Sequence, residues 1–317
     1  FKTATHFSPG EGPMLPANGM VLMRAAFQSG NVDKPGSETI AVTLPSRTVE
    51  TLPDEPVKSG LVFAGWNMEP NGDGEQFTAD TRVSENITVY AAWATPGLQF
   101  TLINDGKEYS VQKGTADTTG TVVIPGYWSG KKVTAVGAYG FRHCDAMTGV
   151  AIPDHVTSIG ADAFHGCSSL TSVTLPGNLA YIGKGAFYSC TGLAGIAIPD
   201  SVTEIGSFAF AYCYGLSSLT FAPSSRLATI GQYAFGFCTG LVQTTLPANI
   251  TDIEHRAFYS CMNLSEISIN SVVPPELSVY VFFSCPALQA IKVPGSSIED
   301  YKSAAGWSYY SDMIIPQ

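Results

Sequence analysis

Leu170-Thr-Ser-Val-Thr-Leu-Pro-Gly-Asn-Leu-Ala-Tyr-Ile-Gly-Lys-Gly-Ala-Phe-Tyr-Ser-Cys190 is followed by a second phrase of the same build, Leu193 to Cys213. Leu170, Val173, Leu175, Pro176, Leu179, Ile182, Gly183, Ala186, Phe187 and Cys190 answer to Leu193, Ile196, Ile198, Pro199, Val202, Ile205, Gly206, Ala209, Phe210 and Cys213. Further copies end at Cys238, Cys261 and Cys285, and a looser first copy carries Val136, Gly137 and Phe141 before Cys144. With Cys167, these are all the cysteines of the chain, separated in turn by 23, 23, 23, 25, 23 and 24 residues. A fixed period of this length marks a solenoid of stacked repeats.

The spacing dictates local structure. Val173 and Leu175 share one face at period two, as in a strand, and Pro176, lacking a backbone donor, ends it. Gly183 is expected to permit a tight turn. Ala186-Phe187-x-x-Cys190 is expected to form a short helical turn, with Phe filling the space between two walls and Cys acting as a small hydrophobe. One repeat alone buries too little to fold, so stacked neighbours must share burial and a parallel ladder. The fold class expected is an α/β solenoid, a curved array of short parallel strands with a cap at each end. Residues 98–128 alternate like strands and should cover the first repeat. Ser297 and Asp300 have the spacing of a capping box before Tyr301. That short helix, with Trp307, Tyr309, Tyr310, Ile314 and Ile315, should close the last repeat.

Composition narrows the function. The 317 residues are 45% hydrophobic and 13% charged, with 32 Gly and 20 Pro. Such a chain suits strands and tight turns rather than long solvated helices. Net charge is −10, and residues 1–93 hold 11 acidic against 6 basic side chains. With no basic patch, nucleic acid is excluded as a partner. No apolar run approaches the ~20 residues that span a bilayer. No signal peptide is present, and an anchor is expected in a longer protein of which this chain is part.

The phrase Ile-Gly-x-x-Ala-Phe-x-x-Cys followed by Leu-x-x-Ile-x-Ile-Pro resembles the BspA-type, or Treponema pallidum-type, leucine-rich repeat. The tail from Val293 to Trp307 is similar to the usual terminus of that family, and the resemblance covers residues 98–317. Three positions depart from it: Thr244 at the middle strand hydrophobe, Glu254 at the turn glycine and Val281 at the alanine. Residues 28–93, with Pro56-x-x-x-Gly-Leu-Val-Phe-Ala-Gly-Trp66 and Glu85-Asn-Ile-Thr-Val-Tyr-Ala-Ala-Trp93, resemble the Listeria–Bacteroides repeat, a small β-grasp-like module. Residues 1–27 look like the tail of a truncated preceding copy. The organisation expected is therefore 1–27 truncated tail, 28–94 β-grasp-like module, 95–130 N-terminal cap, 131–295 repeats and 296–317 C-terminal cap. The resemblance implies a non-enzymatic, extracellular bacterial surface protein in which stalk modules present an adhesive array, and the caps over the ladder edges argue for a monomer. Its partners would be host or bacterial surface proteins, or glycans.

The reactive residue types point the same way. Seven cysteines in an exported protein would ordinarily suggest disulfides, but equivalent, parallel positions do not give the converging Cβ vectors a bridge needs. Free, packed thiols are expected. No zinc-ligand spacing occurs, and no metal or cofactor is expected. His143 and His165 lie beside Cys144 and Cys167, yet they fill variable positions of the repeat, whereas nucleophilic catalysis needs one singular activated thiolate. Asn71-Gly-Asp-Gly-Glu75 could offer oxygen donors to calcium, but it is shorter than an EF-hand loop and reads more simply as a hairpin turn. The sequons at Asn86, Asn249 and Asn263 carry little weight in a bacterial protein.

Two surfaces remain for a partner. The inner sheet should expose the positions between the strand hydrophobes: Ser172 and Thr174, Gly195 and Ala197, Ser218 and Thr220, Gln243 and Thr245, Glu266 and Ser268, Ala290 and Lys292. Concave solenoid faces commonly dock ligands, although Ser and Thr are also ordinary exposed strand residues. The alternative is an aromatic surface beside the Ala-Phe turns, above all Tyr188, Tyr259 and Phe283, with Tyr139, Phe208, Tyr233 and Tyr280. Such rings could serve as hot spots or sugar platforms, or pack on the next turn. The functional alternatives to adhesion are a carbohydrate-recognition or substrate-binding accessory module and a purely structural spacer.

Overall fold

A computed structural model describes residues 23–28, 37–42, 48–49, 51–114 and 118–317. The chain divides into two compact units, Phe1–Ala94 and Thr95–Gln317. In the first, β1 (Met23–Gln28), β2 (Ser37–Val42), β3 (Val62–Asn67), β4 (Gln76–Phe77) and β5 (Ile87–Ala94) form one sheet in the order β2-β1-β5-β3-β4. β1 runs parallel to β5 and the other pairs are antiparallel. Strand β1 runs across the junction expected at residue 27. Val49, Trp66, Phe77, Val83 and Val89 make the core, and Phe63 sets its ring edgewise to Trp66 and Trp93. The Asn71–Glu75 segment lies in the long loop joining β3 to β4, which the buried Asn67 amide closes by donating to the carbonyls of Gly72 and Gly74 at 3.0 and 2.8 Å.

The second unit is a solenoid whose repeats each contribute three walls. The strand face contains β8 (Gly120–Val123), β11 (Met147–Ala151), β13 (Ser172–Thr174), β15 (Gly195–Ile198), β17 (Ser218–Phe221), β19 (Gln243–Leu246), β21 (Glu266–Ile269), β23 (Ala290–Val293) and β24 (Ile314–Pro316). Its hydrogen-bonded stretches are β8-β11-β13, β15-β17 and β19-β21-β23-β24. The second ladder comprises β6 (Gln99–Ile103), β7 (Glu108–Gln112), β10 (Lys131–Val136), β12 (Ser158–Ile159), β14 (Tyr181–Ile182), β16 (Glu204–Ile205), β18 (Thr229–Ile230), β20 (Asp252–Ile253) and β22 (Glu276–Leu277), with β9 (Tyr127–Trp128) paired to β10. From β7 onward it is parallel, and Tyr181-Ile182 stands in register on Ser158-Ile159 and under Glu204-Ile205. The N-terminal end thus starts both ladders, through the β6–β7 hairpin on one and β8 on the other.

The third wall, carrying Ala-Phe-x-x-Cys, is a run of turns and not the helical turn expected. Two residues in every repeat, five and one before the cysteine, adopt left-handed backbone: Gly185 and Ser189 before Cys190, Phe208 and Tyr212 before Cys213, Tyr233 and Phe237 before Cys238. Left-handed residues interrupt any helix. They also turn alternate N–H groups toward the next repeat, so that Gly185, Phe187 and Ser189 donate to the carbonyls of Ser207, Ala209 and Ala211 at 2.7–2.9 Å. The third wall is therefore a hydrogen-bonded ladder too, although it is not a sheet.

Gly183 plays another part than expected. Its φ is not positive. A Cβ there would lie 2.6 Å from the carbonyl carbon of Gly160 in the preceding repeat, and Gly206 and Gly231 meet their predecessors in the same way. Glycine is needed for close backbone approach between repeats. Glu254, where that glycine is missing, turns its carboxylate onto the N–H of Gln232 at 2.8 Å.

The interior is a stack of identical layers. Phe141, Phe164, Phe187, Phe210, Phe235 and Phe258 are fully buried, and consecutive rings lie 5.1–5.4 Å apart with interplanar angles of 2–16°. At the C-terminal end α1 (Ile298–Ser303) begins at Ser297, but no side-chain hydrogen bond caps it, so the expected capping box does not form. The cap is held instead by two buried aromatics of the tail. The Tyr301 hydroxyl donates to the Ser271 carbonyl at 2.9 Å, and Trp307 Nε1 donates to the Pro275 carbonyl at 2.7 Å.

Candidate binding surface

The cysteines form a column inside the array. All seven are free, six are buried and Cys285 is half-buried. From Cys167 onward each thiol donates to the carbonyl of the phenylalanine one repeat earlier, as Cys213 does to Phe187 and Cys261 to Phe235, at 3.1–3.2 Å. A small apolar side chain with one weak donor fits this position. Burial pushes the thiols of Cys213, Cys238 and Cys261 well above the ordinary range, while a hydrogen bond from Cys261 lowers that of Cys285. A buried, protonated thiol is a poor nucleophile. His165 Nδ1 lies 3.3 Å from Asp162 and its ring packs between those of His143 and Tyr188, which places both histidines in an aromatic row.

That row takes up the aromatic residues singled out in the sequence. His143, His165, Tyr188, Tyr212, Phe237, Tyr259 and Phe283 follow one another along the turn wall at centroid separations of 4.3–5.9 Å. A second cluster gathers around Arg256, whose guanidinium stands 5.3–5.5 Å from the rings of Tyr233, Tyr259 and Tyr280. Phe208 stacks on Tyr233, and Tyr139 lies apart, beside Arg142. Tyr188 and Tyr259 are half-buried, each between two neighbouring rings, whereas Phe283 is 52% exposed at the end of the row. Sugars stack on ring faces. Two of the six contacts are face to face, Tyr212 on Phe237 and Tyr259 on Phe283, and the other four are tilted or edge-on.

On the strand face Ser172, Thr174, Ser218, Thr220, Gln243 and Thr245 are exposed, and Glu266 and Ser268 are half-exposed. The hydrophobes between them, Val173, Leu219 and Ile267, are buried. The eight residues fall into two groups. Ser172 and Thr174 line a depression of about 480 Å³ with Thr121, Thr148 and Gly149. The other six line a second depression, of about 490 Å³, together with Phe221, Pro223, Pro247 and Asn270. Glu266 is paired with Lys292 on the adjacent strand at 2.8 Å.

The second depression lies where the period fails. Other copies read Leu175-Pro176, Ile198-Pro199 and Leu246-Pro247, but this one reads Phe221-Ala222-Pro223, with one residue inserted there and another before Leu227. No backbone hydrogen bond joins β17 to β19. The bond that crosses is from the Thr244 hydroxyl to the Leu219 carbonyl, 3.0 Å, which accounts for a buried threonine at a hydrophobic position. Phe221, Pro223 and Asn270 are missing from the residues expected at the surface. The 25-residue separation from Cys213 to Cys238 was the signal that could have found the first two, and Asn270, in place of the usual proline after the strand, the third.

The layered repeats define a leucine-rich repeat solenoid, and comparison with known proteins specifies the type. The profile of the BspA type leucine rich repeat region matches residues 134–226 and 220–305, in six copies, and the chain belongs to that family. The Listeria-Bacteroides repeat domain matches residues 30–92. Among solved structures, the T. pallidum leucine rich repeat protein is 26% identical, with 63% of this chain and 84% of that chain covered and a TM-score of 0.45. A leucine rich cell surface protein of Faecalibacterium prausnitzii A2-165 is 26% identical over 65% of this chain and 71% of that one, TM-score 0.43. The pneumococcal vaccine antigen PcpA is 19% identical over 65% and 70%, TM-score 0.46. No curated protein matches the chain.

Proposed function

We propose that the repeat array is a non-enzymatic recognition module of a bacterial cell surface, which binds proteins of a host or of other bacteria through its strand face and is presented by the N-terminal unit. The observation that carries this reading is the contrast between the walls. The thiols lie in a repeating column with six of the seven buried, and Tyr188 and Tyr259 in the aromatic row are half-buried between neighbouring rings. The strand face, by comparison, keeps polar side chains exposed over two depressions. Repeat arrays commonly use such a face. The resemblance of residues 30–92 to an export-associated module supports an extracellular setting. Among the described residues no helix is long and apolar enough to cross a membrane.

The test is binding of the full chain to a panel of host matrix and bacterial surface proteins, with Thr174→Arg and Thr220→Arg as strand-face variants. Loss of binding in either variant, with Tyr188→Ala unaffected, is the expected outcome. Binding that is lost only in Tyr188→Ala would move the site to the turn wall.

A further inference from the structure

The depression between β17 and β21 has a chemistry of its own. Its polar side chains are amides and hydroxyls, Gln243, Asn270 and Thr220 among them, which offer donors and acceptors together. Its charge is internally cancelled, because Glu266 is held by Lys292 at 2.8 Å. The Phe221 ring and the prolines 223 and 247 supply an apolar side. A ligand complementary to all three features is uncharged, rich in hydroxyl groups and apolar on one face. Its volume, about 490 Å³, lies within the ~300–1,000 Å³ of sites for small ligands.

We infer that this depression binds a neutral saccharide unit, with the Phe221 ring against the C–H face of the sugar and Gln243, Asn270 and Glu266 taking its hydroxyls. The inference rests on the strand-face reading and gives that face its ligand chemistry. An anionic sugar would meet no unpaired cation there, in a chain of net charge −10. A neutral glycan carried on a surface protein satisfies both this polar ring and the strand-face reading. The site spans three successive repeats, and its aromatic side comes from the one that carries the insertions. At Phe221 the regular copies carry Leu175, Ile198 and Leu246, which are buried, whereas the inserted residues let this ring line the depression.

The saccharide can be free or carried on a glycoprotein, and the experiment separates these sources. Full-length chain is titrated with neutral hexasaccharides (gluco-, manno-, galacto-, xylo- and N-acetylglucosamine series), with sialyllactose, and with mucin before and after enzymatic removal of its glycans. At least one neutral hexasaccharide is expected to bind. Phe221→Leu, which restores the regular residue, and Gln243→Ala are each expected to weaken that binding about tenfold, the loss of one good contact, with an unchanged unfolding midpoint. Mucin that binds only while glycosylated identifies a glycoprotein source, and hexasaccharide binding without mucin binding identifies a free one. The inference is overturned if no neutral hexasaccharide binds at millimolar concentration, or if binding survives both substitutions. Mucin that stays bound after deglycosylation, and is lost in Thr220→Arg, overturns the saccharide while leaving the strand face as a protein site. Binding indifferent to Thr220→Arg removes both.

Discussion

The turn wall and the strand face are built from the same repeats and have opposite characters. On the turn wall every position that touches the next repeat is repeated: the phenylalanine stack, the thiol donors and the left-handed residues recur at fixed distances before each cysteine. On the strand face the period slips by two residues between Cys213 and Cys238 and by one between Cys261 and Cys285. The ladder is interrupted between β13 and β15 and again between β17 and β19, and the second interruption, at the larger slip, lies over a depression whose lining includes Phe221 and Asn270, where regular copies carry a buried aliphatic residue and a proline. Regularity supplies stability in a nearest-neighbour array. A departure from it provides the singular surface that recognition needs.

The contrast can be broken first from the regular side. Phe187→Ala removes a ring stacked on both Phe164 and Phe210 and is expected to cost about 3–5 kcal/mol, read from the denaturant midpoint. Gly183→Ala brings a methyl against the Gly160 backbone and should cost about 1–3 kcal/mol as overpacking. A cost near zero would mean that the repeats can move apart.

The column of thiols gives a pH dependence. Burial raises the folded-state pKa of Cys213, Cys238 and Cys261, so the folded form holds protons that the unfolded chain releases above its ordinary thiol pKa. Stability is then independent of these groups below about pH 8 and falls as pH rises beyond it, by up to ~1.4 kcal/mol per pH unit for each thiol. Equilibrium unfolding between pH 7 and 10 checks the sign, and a flat profile that persists in Cys213→Ala would exclude this origin.

Smaller effects sharpen the comparison. Ser189 sits at φ 57°, and Ser189→Gly should gain about 0.5–1 kcal/mol by relieving left-handed strain, seen as a rise in the thermal midpoint. Gly185, at φ 61° beside the Asp162 carboxylate, should behave in the reverse manner on change to Ala. Thr245→Arg on the exposed strand face should change stability by less than about 0.5 kcal/mol, so that its effect on binding can be read without a folding term.

The layers were legible in the sequence because each demands one residue type: Val173 and Leu175 alternate, Phe187 recurs at every turn, and Pro176 stops a strand. The turn geometry was hidden, since the left-handed positions are filled by Gly185 and Ser189 but also by Phe208, Tyr212 and Arg256, which carry no left-handed signature. The spacing of Ser297 and Asp300 imitated a capping box while the hold on the tail came from Tyr301 and Trp307, through partners 30 and 32 residues away. Long-range contacts of that kind have no local pattern. Six of the twelve strand-face residues expected from period-two alternation line one depression, yet its aromatic wall, Phe221, occupies a position that the period assigns to the core.

The direction of the hydrogen bonds bears on how such a chain can change over generations. In the turn wall the N–H groups of Gly185, Phe187 and Ser189 point to the following repeat, whereas those of Ala180, Gly183, Gly192 and Ala194 point back to the preceding one. The opposed bonds offset each other's dipoles, and lengthening the stack accumulates little field at either end. The ends are closed by elements of their own, the β6–β7 hairpin and Lys113, which reaches the carbonyls of Gly140 and Arg142, at one, and β24, Tyr301 and Trp307 at the other. A gene for this array can therefore gain or lose a 23-residue cassette between intact ends, and a slipped cassette, such as the one that ends at Cys238, can be inherited as a new pocket without rebuilding its neighbours.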